Sequence, residues 1–221
     1  MRVNGRQVMK PGLLVDEDHD SVILDDRRIT IEPGQVYILL NKPAGYLVTA
    51  SDPQARPTIY ELLEEVSRRV FPVGRLDLDT EGVLLLTDDG DWAHRLMHPR
   101  HEAVKGYRAD VQGKVQAADL ARLTKGLILE DGLARAKTAR LESAASNGSV
   151  LYLELITGKK RQVRRMCAAI GHPVRRLVRV SFAGLTVGGL KTGQWRYLQP
   201  EEISRLSPEP NPKTGRTDSV N

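Results

Sequence analysis

Residues 71–90 read FPVGRLDLDTEGVLLLTDDG. The chain crowds Arg75, Asp77, Asp79 and Glu81 together directly before the aliphatic run Val83 to Leu86. A short apolar run bounded by Gly82 and by Asp88-Asp89-Gly90 reads as a buried strand entering a tight turn. Charges at the mouth of such a strand are costly to desolvate, so they either fan into water or do chemical work. One metal reading offers itself: Asp77, Asp79, Glu81 and Gly82 fall at the first, third, fifth and sixth positions of an EF-hand loop, with Asp88 at the twelfth. Glu at the fifth position and Asp at the twelfth are poor choices. A strand at Val83 to Leu86 also stands where the loop should wrap calcium, so no metal site is expected. The other reading is covalent or acid–base chemistry by one carboxylate, which needs a cation to hold it ionised and in place. The residues alone leave that pairing open.

The whole chain has 221 residues, 40% of them hydrophobic, enough for one large domain or one domain with a small appendage. No apolar stretch approaches a membrane span, and MRVNGRQVMK lacks the apolar centre of a signal peptide, so a soluble cytoplasmic protein with no membrane partner is expected. The single cysteine, Cys167, excludes an internal disulfide and a cysteine metal cage. Charge is distributed unevenly. Between Glu154 and Glu201 there is no acid, while Lys159, Lys160, Arg161, Arg164, Arg165, Arg175, Arg176, Arg179, Lys191 and Arg196 all fall inside. Against a net charge of +5 for the whole chain, the remainder is therefore net acidic. A basic block of this length reads as a surface for a polyanion, because each Lys or Arg that neutralises a phosphate releases counterions.

Along the chain, RVNGRQV around Asn4-Gly5 and SVILDDRRITI around Asp25-Asp26 predict hairpins. VYILL (Val36 to Leu40) predicts a buried strand leading into the loop NKPAG. Thr58 to Val70 predicts a helix, from the capping-box spacing of Thr58 and Glu61 and the stripe Ile59, Leu62, Leu63, Val66 and Val70. A short helix through Trp92 and Leu96, a strand at Lys105 to Val111, a helix at Ala117 to Leu127 and an alternating strand at Leu151 to Ile156 follow. In KKRQVRRMCAAIGHP, Val163, Met166, Cys167 and Ile170 share one helical face and Arg161, Arg164 and Arg165 the other, with Gly171 and Pro173 ending the helix. Cys167 is then a buried core residue. The Pro-rich end reads as a disordered tail. Irregular alternation with several hairpin signals predicts an α+β fold, a mostly antiparallel mixed sheet flanked by helices.

GRLDLDTEGVLLLTDDG resembles the catalytic motif GRLDxxTxGLLLLTNDG of ribosomal pseudouridine synthases of the small-subunit synthase A / large-subunit synthase B type. The likeness continues through VYILLNKPAGYLVTASDPQARPTIYELL, LMHPRHEAVKGYRADV and LITGKKRQVRRMCAAIGHPVRRLVRVSFAGLTVGGLKTGQWRYL, covering about residues 35 to 200 in order. The stretch SDPQARPTIYELL resembles the large-subunit synthase B subgroup most. RVNGRQVMKPGLLVDEDHDSVILDD resembles the back half of an alpha-L RNA-binding domain whose helical front half is absent. The resemblance thus implies three parts: residues 1–33 as a partial alpha-L segment, 34–206 as the catalytic domain, and 207–221 as the tail.

The resemblance further implies an isomerase that converts a uridine of ribosomal RNA, 23S in preference to 16S, to pseudouridine without a cofactor. A monomer is expected. Asp77 takes the position of the essential aspartate that attacks or deprotonates the nucleoside. Tyr107 takes that of the tyrosine stacking on the flipped uracil and assisting loss of the C5 proton, and Arg164 that of the cation paired with the catalytic carboxylate. Arg75 matches the arginine that holds the flipped nucleotide or fills its vacancy. Lys42, Lys105, Lys160, Arg161, Arg165, Arg175, Arg176 and Arg179 are expected to face RNA. Asp79 and Glu81 lie at variable positions and are expected to be solvated or to tune specificity. Gly106, where the family usually has Thr or Arg, is expected to loosen its strand. A competing expectation is a catalytically idle RNA-binding or ribosome-assembly factor with the same fold.

Overall fold

The computed structural model describes residues 1–9, 12–16, 20–29, 34–145 and 147–206. The chain divides into two compact units, Met1–Gln35 and Val36–Asn221. The expectation of a disordered tail at 207–221 lies outside the described residues.

The first unit holds strands β1 (Arg2–Val3), β2 (Arg6–Gln7), β3 (Val22–Leu24) and β4 (Arg27–Ile29), in the sheet order β2-β1-β3-β4. Both hairpins turn where the sequence places them. Asn4 and Gly5 adopt φ 51° and 77°, and Asp25 and Asp26 adopt 49° and 58°. Two successive left-handed residues match the right-handed twist of the flanking strands, and Asn, Asp and Gly reach that region at least cost.

The second unit is built on one large sheet. Its elements are β5 (Tyr37–Lys42), β6 (Phe71–Pro72), β7 (Thr80–Thr87), α1 (Gly90–Met97), β8 (Lys105–Gln112), α2 (Ala117–Lys125), β9 (Leu127–Leu129), β10 (Gly132–Ala134), β11 (Thr138–Ala145), β12 (Gly148–Leu155), α3 (Gln162–Ala169), β13 (Val174–Phe182), β14 (Leu185–Thr186), β15 (Trp195–Tyr197) and α4 (Pro200–Leu206). The strand order is β11-β12-β8-β13-β7-β5-β15, with β14 on β13 and β6 on β7, while β9 and β10 form a separate hairpin. Among the described strands of this sheet, only β13 and β7 pair in parallel. The α+β expectation of a mostly antiparallel mixed sheet is met.

Strand β7 is apolar without alternation because it is covered on both faces. Val83 and Leu85 pack with Leu39, Trp92 and Leu96, while Leu84 and Leu86 pack with Ile38, Leu40 and Ile59. A third cluster places Val163, Met166, Cys167 and Ile170 of the α3 region against Ala109, Val111, Leu151, Leu153 and Leu177 of the sheet. Burial pushes the Cys167 thiol up to about 12, so it is an inert core side chain.

The helix predicted at Thr58 to Val70 is replaced by a single 3-10 turn, Ile59–Leu62. The capping box is present, with the Thr58 amide donating to Glu61 Oε1 at 2.7 Å, and Ile59, Leu63 and Val70 are buried as expected. Tertiary contacts override the helical ladder. Thr58 bridges Leu47, Tyr60 Oη donates to the Val70 carbonyl at 3.0 Å, and Arg68 pairs with Asp88 at 2.8 Å. Gly106 also departs from expectation. Strand β8 is paired along both edges, and a Cβ at Gly106 would collide with Ser181 Oγ and lie 2.8 Å from the Tyr152 hydroxyl. The glycine admits these two side chains; it does not loosen the strand.

Candidate active site

The acidic stretch leads into β7 at the mouth of a cleft of about 1240 Å³. Its walls bring together Arg75, Asp77, Lys105, Tyr107, Lys160, Arg161 and Arg179. Asp77 comes from the turn before β7, Tyr107 from β8, Arg179 from β13, and Lys160 and Arg161 from the entry to α3. Lys42 lies beneath the Asp77 turn, and Arg164 beside it. Arg165, Arg175 and Arg176 lie outside the cleft lining.

Lys42 is wholly buried, so it cannot be the RNA-facing charge expected from sequence. Its Nζ donates to the carbonyls of Pro43 at 2.9 Å, Asp77 at 3.2 Å, Leu78 at 3.4 Å and Thr80 at 2.9 Å. One ammonium thereby satisfies the turn that carries Asp77, and the Gly45 amide adds a bond to Leu78 at 2.8 Å. Burial draws the Lys42 pKa down to about 8, against the pull of Asp79, Asp77 and Glu81.

The three acids part company. Asp79 takes a bidentate pair from Arg161, 3.1 Å on each arm. Arg164 Nη2 approaches Asp79 Oδ2 at 3.2 Å and donates to the Asp79 carbonyl at 2.8 Å. The cation expected to hold Asp77 therefore holds its neighbour. Partial burial works to raise the Asp79 pKa, but the Arg161 hydrogen bonds and the two guanidinium charges keep it below the usual carboxylate range. Glu81 takes Arg176 bidentately at 2.8 and 2.9 Å, which lowers its pKa. Neither acid is a solvated bystander. Among the described residues Asp77 has no ion pair, which leaves its carboxylate free to face the cleft.

The other basic residues expected to face RNA divide between paired, buried and exposed. Arg165 pairs with Asp131 at 2.9 and 2.7 Å, held alongside by Lys159. Arg175 is exposed and donates to the Asn147 carbonyl at 3.1 Å. Arg179 is only 3% exposed and cannot reach a polyanion at the surface. Lys105 is half-buried, its Nζ donating to the carbonyls of Ala103 and Ile156, each at 2.8 Å, and burial draws its pKa down to about 8. Arg75 and Lys160 are exposed at the cleft, as an RNA contact requires.

Arg161 starts α3 in a left-handed conformation, φ 49°. Such a backbone is unfavourable for a non-glycine residue and must be held by its surroundings. Here the buried Gln162 does so, accepting from the Lys159 amide at 3.0 Å and exchanging bonds with Thr157. Sequence reasoning missed the tethering roles of Asp79, Glu81 and Asp131. Their spacing offered a partial signal, because Asp79 and Glu81 stand two apart and so project to one side of an extended chain.

Comparison with known proteins agrees with the motifs. Residues 36–169 match the family model described as RNA pseudouridylate synthase. The chain is 39% identical over 209 residues to ribosomal large subunit pseudouridine synthase B of Bacillus subtilis (strain 168), covering 93% of this chain and 84% of that protein. It is 34% identical over 205 residues to ribosomal small subunit pseudouridine synthase A of Escherichia coli (strain K12), covering 92% and 87%. A crystal structure of a pseudouridylate synthase superposes with a TM-score of 0.69 at 31% identity, covering 93% of this chain and 88% of that one.

Proposed function

The chain belongs to the RNA pseudouridylate synthase family, in the branch of the ribosomal small-subunit synthase A and large-subunit synthase B enzymes, and from that premise we propose that it isomerises a uridine of ribosomal RNA, in the 23S molecule, as a cytoplasmic monomer. The likeness to the large-subunit synthase B relative supports the choice of 23S.

The target nucleotide leaves the RNA stack and enters the cleft, at an unstacking cost of a few kcal/mol. Arg75, exposed at the rim, holds it or fills the vacancy. Asp77 supplies the electron pair that drives cleavage of the N1–C1′ bond. The freed uracil rotates, C5 bonds to C1′, C5 loses its hydrogen as a proton, and N1 gains one. One C–N bond is exchanged for one C–C bond with no change in composition, so no cofactor is required. Tyr107 stacks on the base and accepts the C5 proton. Lys42, Arg161 and Arg164 act on the frame around Asp77: the lysine fixes its backbone, and the arginines are drawn onto Asp79. Residues 1–33 act as an auxiliary RNA-binding segment of the alpha-L kind.

The observation that carries this reading is the unpaired Asp77 carboxylate in a turn pinned by Lys42, lining the same cleft as Tyr107. The test is tritium release from unmodified ribosomal RNA transcript labelled at uridine C5. Wild type should release tritium, while Asp77→Asn should release none and bind the transcript as before. Binding without release by the wild type would replace this reading with an RNA-binding assembly factor.

A further inference from the structure

Arg179 is a buried cation without a carboxylate partner among the described residues. Its Nε donates to the Val83 carbonyl at 2.7 Å and its guanidinium lies 5.1 Å over the Phe182 ring, but Nη2 is buried with no hydrogen-bond partner. Leaving a charged donor unmet in the interior is costly, and natural sequences keep such groups where they serve a purpose. The register supplies one. Arg179 stands directly opposite Tyr107 of β8 on one side and Gly82 of β7 on the other. Directly opposed residues share a face of the sheet, so the Arg179 and Tyr107 side chains rise together into the cleft. Gly82 is required for this closeness, because a Cβ there, at φ +104°, would collide with the Arg179 carbonyl.

The titratable side chains that interact with Arg179 include Lys42 of β5 and Lys105 and Tyr107 of β8. The two lysines gain nothing from a neighbouring positive charge. The phenol does. We infer that Arg179 is the positioning residue for Tyr107: its guanidinium orients the phenol oxygen and stabilises the phenolate that accepts the C5 proton. This deepens the pseudouridine-synthase reading and rests on it. In the step concerned, the C5–H electron pair returns to the ring, the proton passes to the Tyr107 oxygen, and the resulting phenol later yields it to water. Arg179 neither gains nor loses a proton. It is thereby reassigned from the RNA surface to the support of the base.

Two readouts test this. In protein labelled with 3-fluorotyrosine, the Tyr107 fluorine resonance, identified by its loss in Tyr107→Phe, reports the electrostatic surroundings of the phenol without any need for activity. Arg179→Met should move that resonance, and Arg179→Lys, which keeps the charge, should move it less. In single turnover, Arg179→Met should slow tritium release at least roughly tenfold with transcript affinity unchanged. The same substitution in a Tyr107→Phe background should change the rate by less than about twofold. Should Arg179→Met fail to fold, Arg179→Lys carries the fluorine measurement. An unmoved Tyr107 resonance, or an equal loss with and without the phenol, overturns the inference. A shifted resonance in a protein that never releases tritium overturns the proposed chemistry and leaves the pairing standing.

Discussion

Asp77, Asp79 and Glu81 bear the same functional group, and their partners give them three tasks. Asp79 and Glu81 are engaged by arginines 82 and 95 residues away in sequence, while Asp77 is held through its backbone alone. The proposed nucleophile needs its carboxylate free and its main chain fixed, and Asp77 meets both conditions. Lys42 provides the fixing. Replacing it by Met removes the ammonium from the carbonyls of Pro43, Asp77, Leu78 and Thr80, leaving Asp77 and Leu78 only the amides of Thr80 and Gly45, so Lys42→Met should lower the unfolding free energy in urea by about 2–3 kcal/mol. It should also slow tritium release without weakening transcript binding. Unchanged stability would mean that water replaces the ammonium and that the lysine does not pin the turn.

Strand β7 is the element on which the site depends, and its parallel pairing with β13 joins segments far apart in sequence. That pairing sets Gly82 against Arg179 with no room for a side chain. Gly82→Ala combines a left-handed backbone with a collision against main chain, so it should cost about 2–4 kcal/mol in urea unfolding. A loss under about 0.5 kcal/mol would contradict the tight approach. At the far edge of the sheet, Glu202 of α4 receives both arms of Arg196 of β15, at 2.6 and 2.7 Å, and its pKa falls to about 2 through that pair. The folded value lies below the unfolded one, so the pair stabilises the fold above about pH 4.5. That contribution drains away as pH falls towards 2. Between those limits, stability should decline more steeply in wild type than in Glu202→Gln, measured by urea unfolding at each pH. Parallel curves would show that the pair contributes nothing.

Taken over the whole molecule, the basic block from residue 155 to 200 is not one RNA-facing surface. Arg161, Arg165 and Arg176 are engaged with acids, Arg179 is buried, and Lys160 and Arg175 remain exposed without a carboxylate partner among the described residues. Counterions are released only by charges that meet phosphate. Lys160→Gln and Arg175→Gln should each reduce the salt slope of transcript binding by about one, whereas Arg176→Gln should change it far less. Filter binding across a range of salt concentrations distinguishes them, and equal slopes for all three would mean that RNA displaces Glu81 from Arg176.

By itself the sequence determined strands β5, β7, β8 and β12, the two N-terminal hairpins, the arginine-bearing helix, the α+β class and the motif carrying Asp77. Each of these rests on short-range periodicity, turn chemistry or contiguous residues. The helix predicted at Thr58 to Val70 was lost for the complementary reason: its apolar spacing satisfies burial in a non-helical path once Leu47, Val70 and Asp88 offer tertiary partners. Only the tertiary structure decided which charge meets which. The fate of Lys42, Asp79, Arg164, Arg176 and Arg179 depends on β13 being inserted between β7 and β8. That order brings together segments some hundred residues apart, and whether a charge is buried, paired or free follows from those neighbours and not from its own residue type.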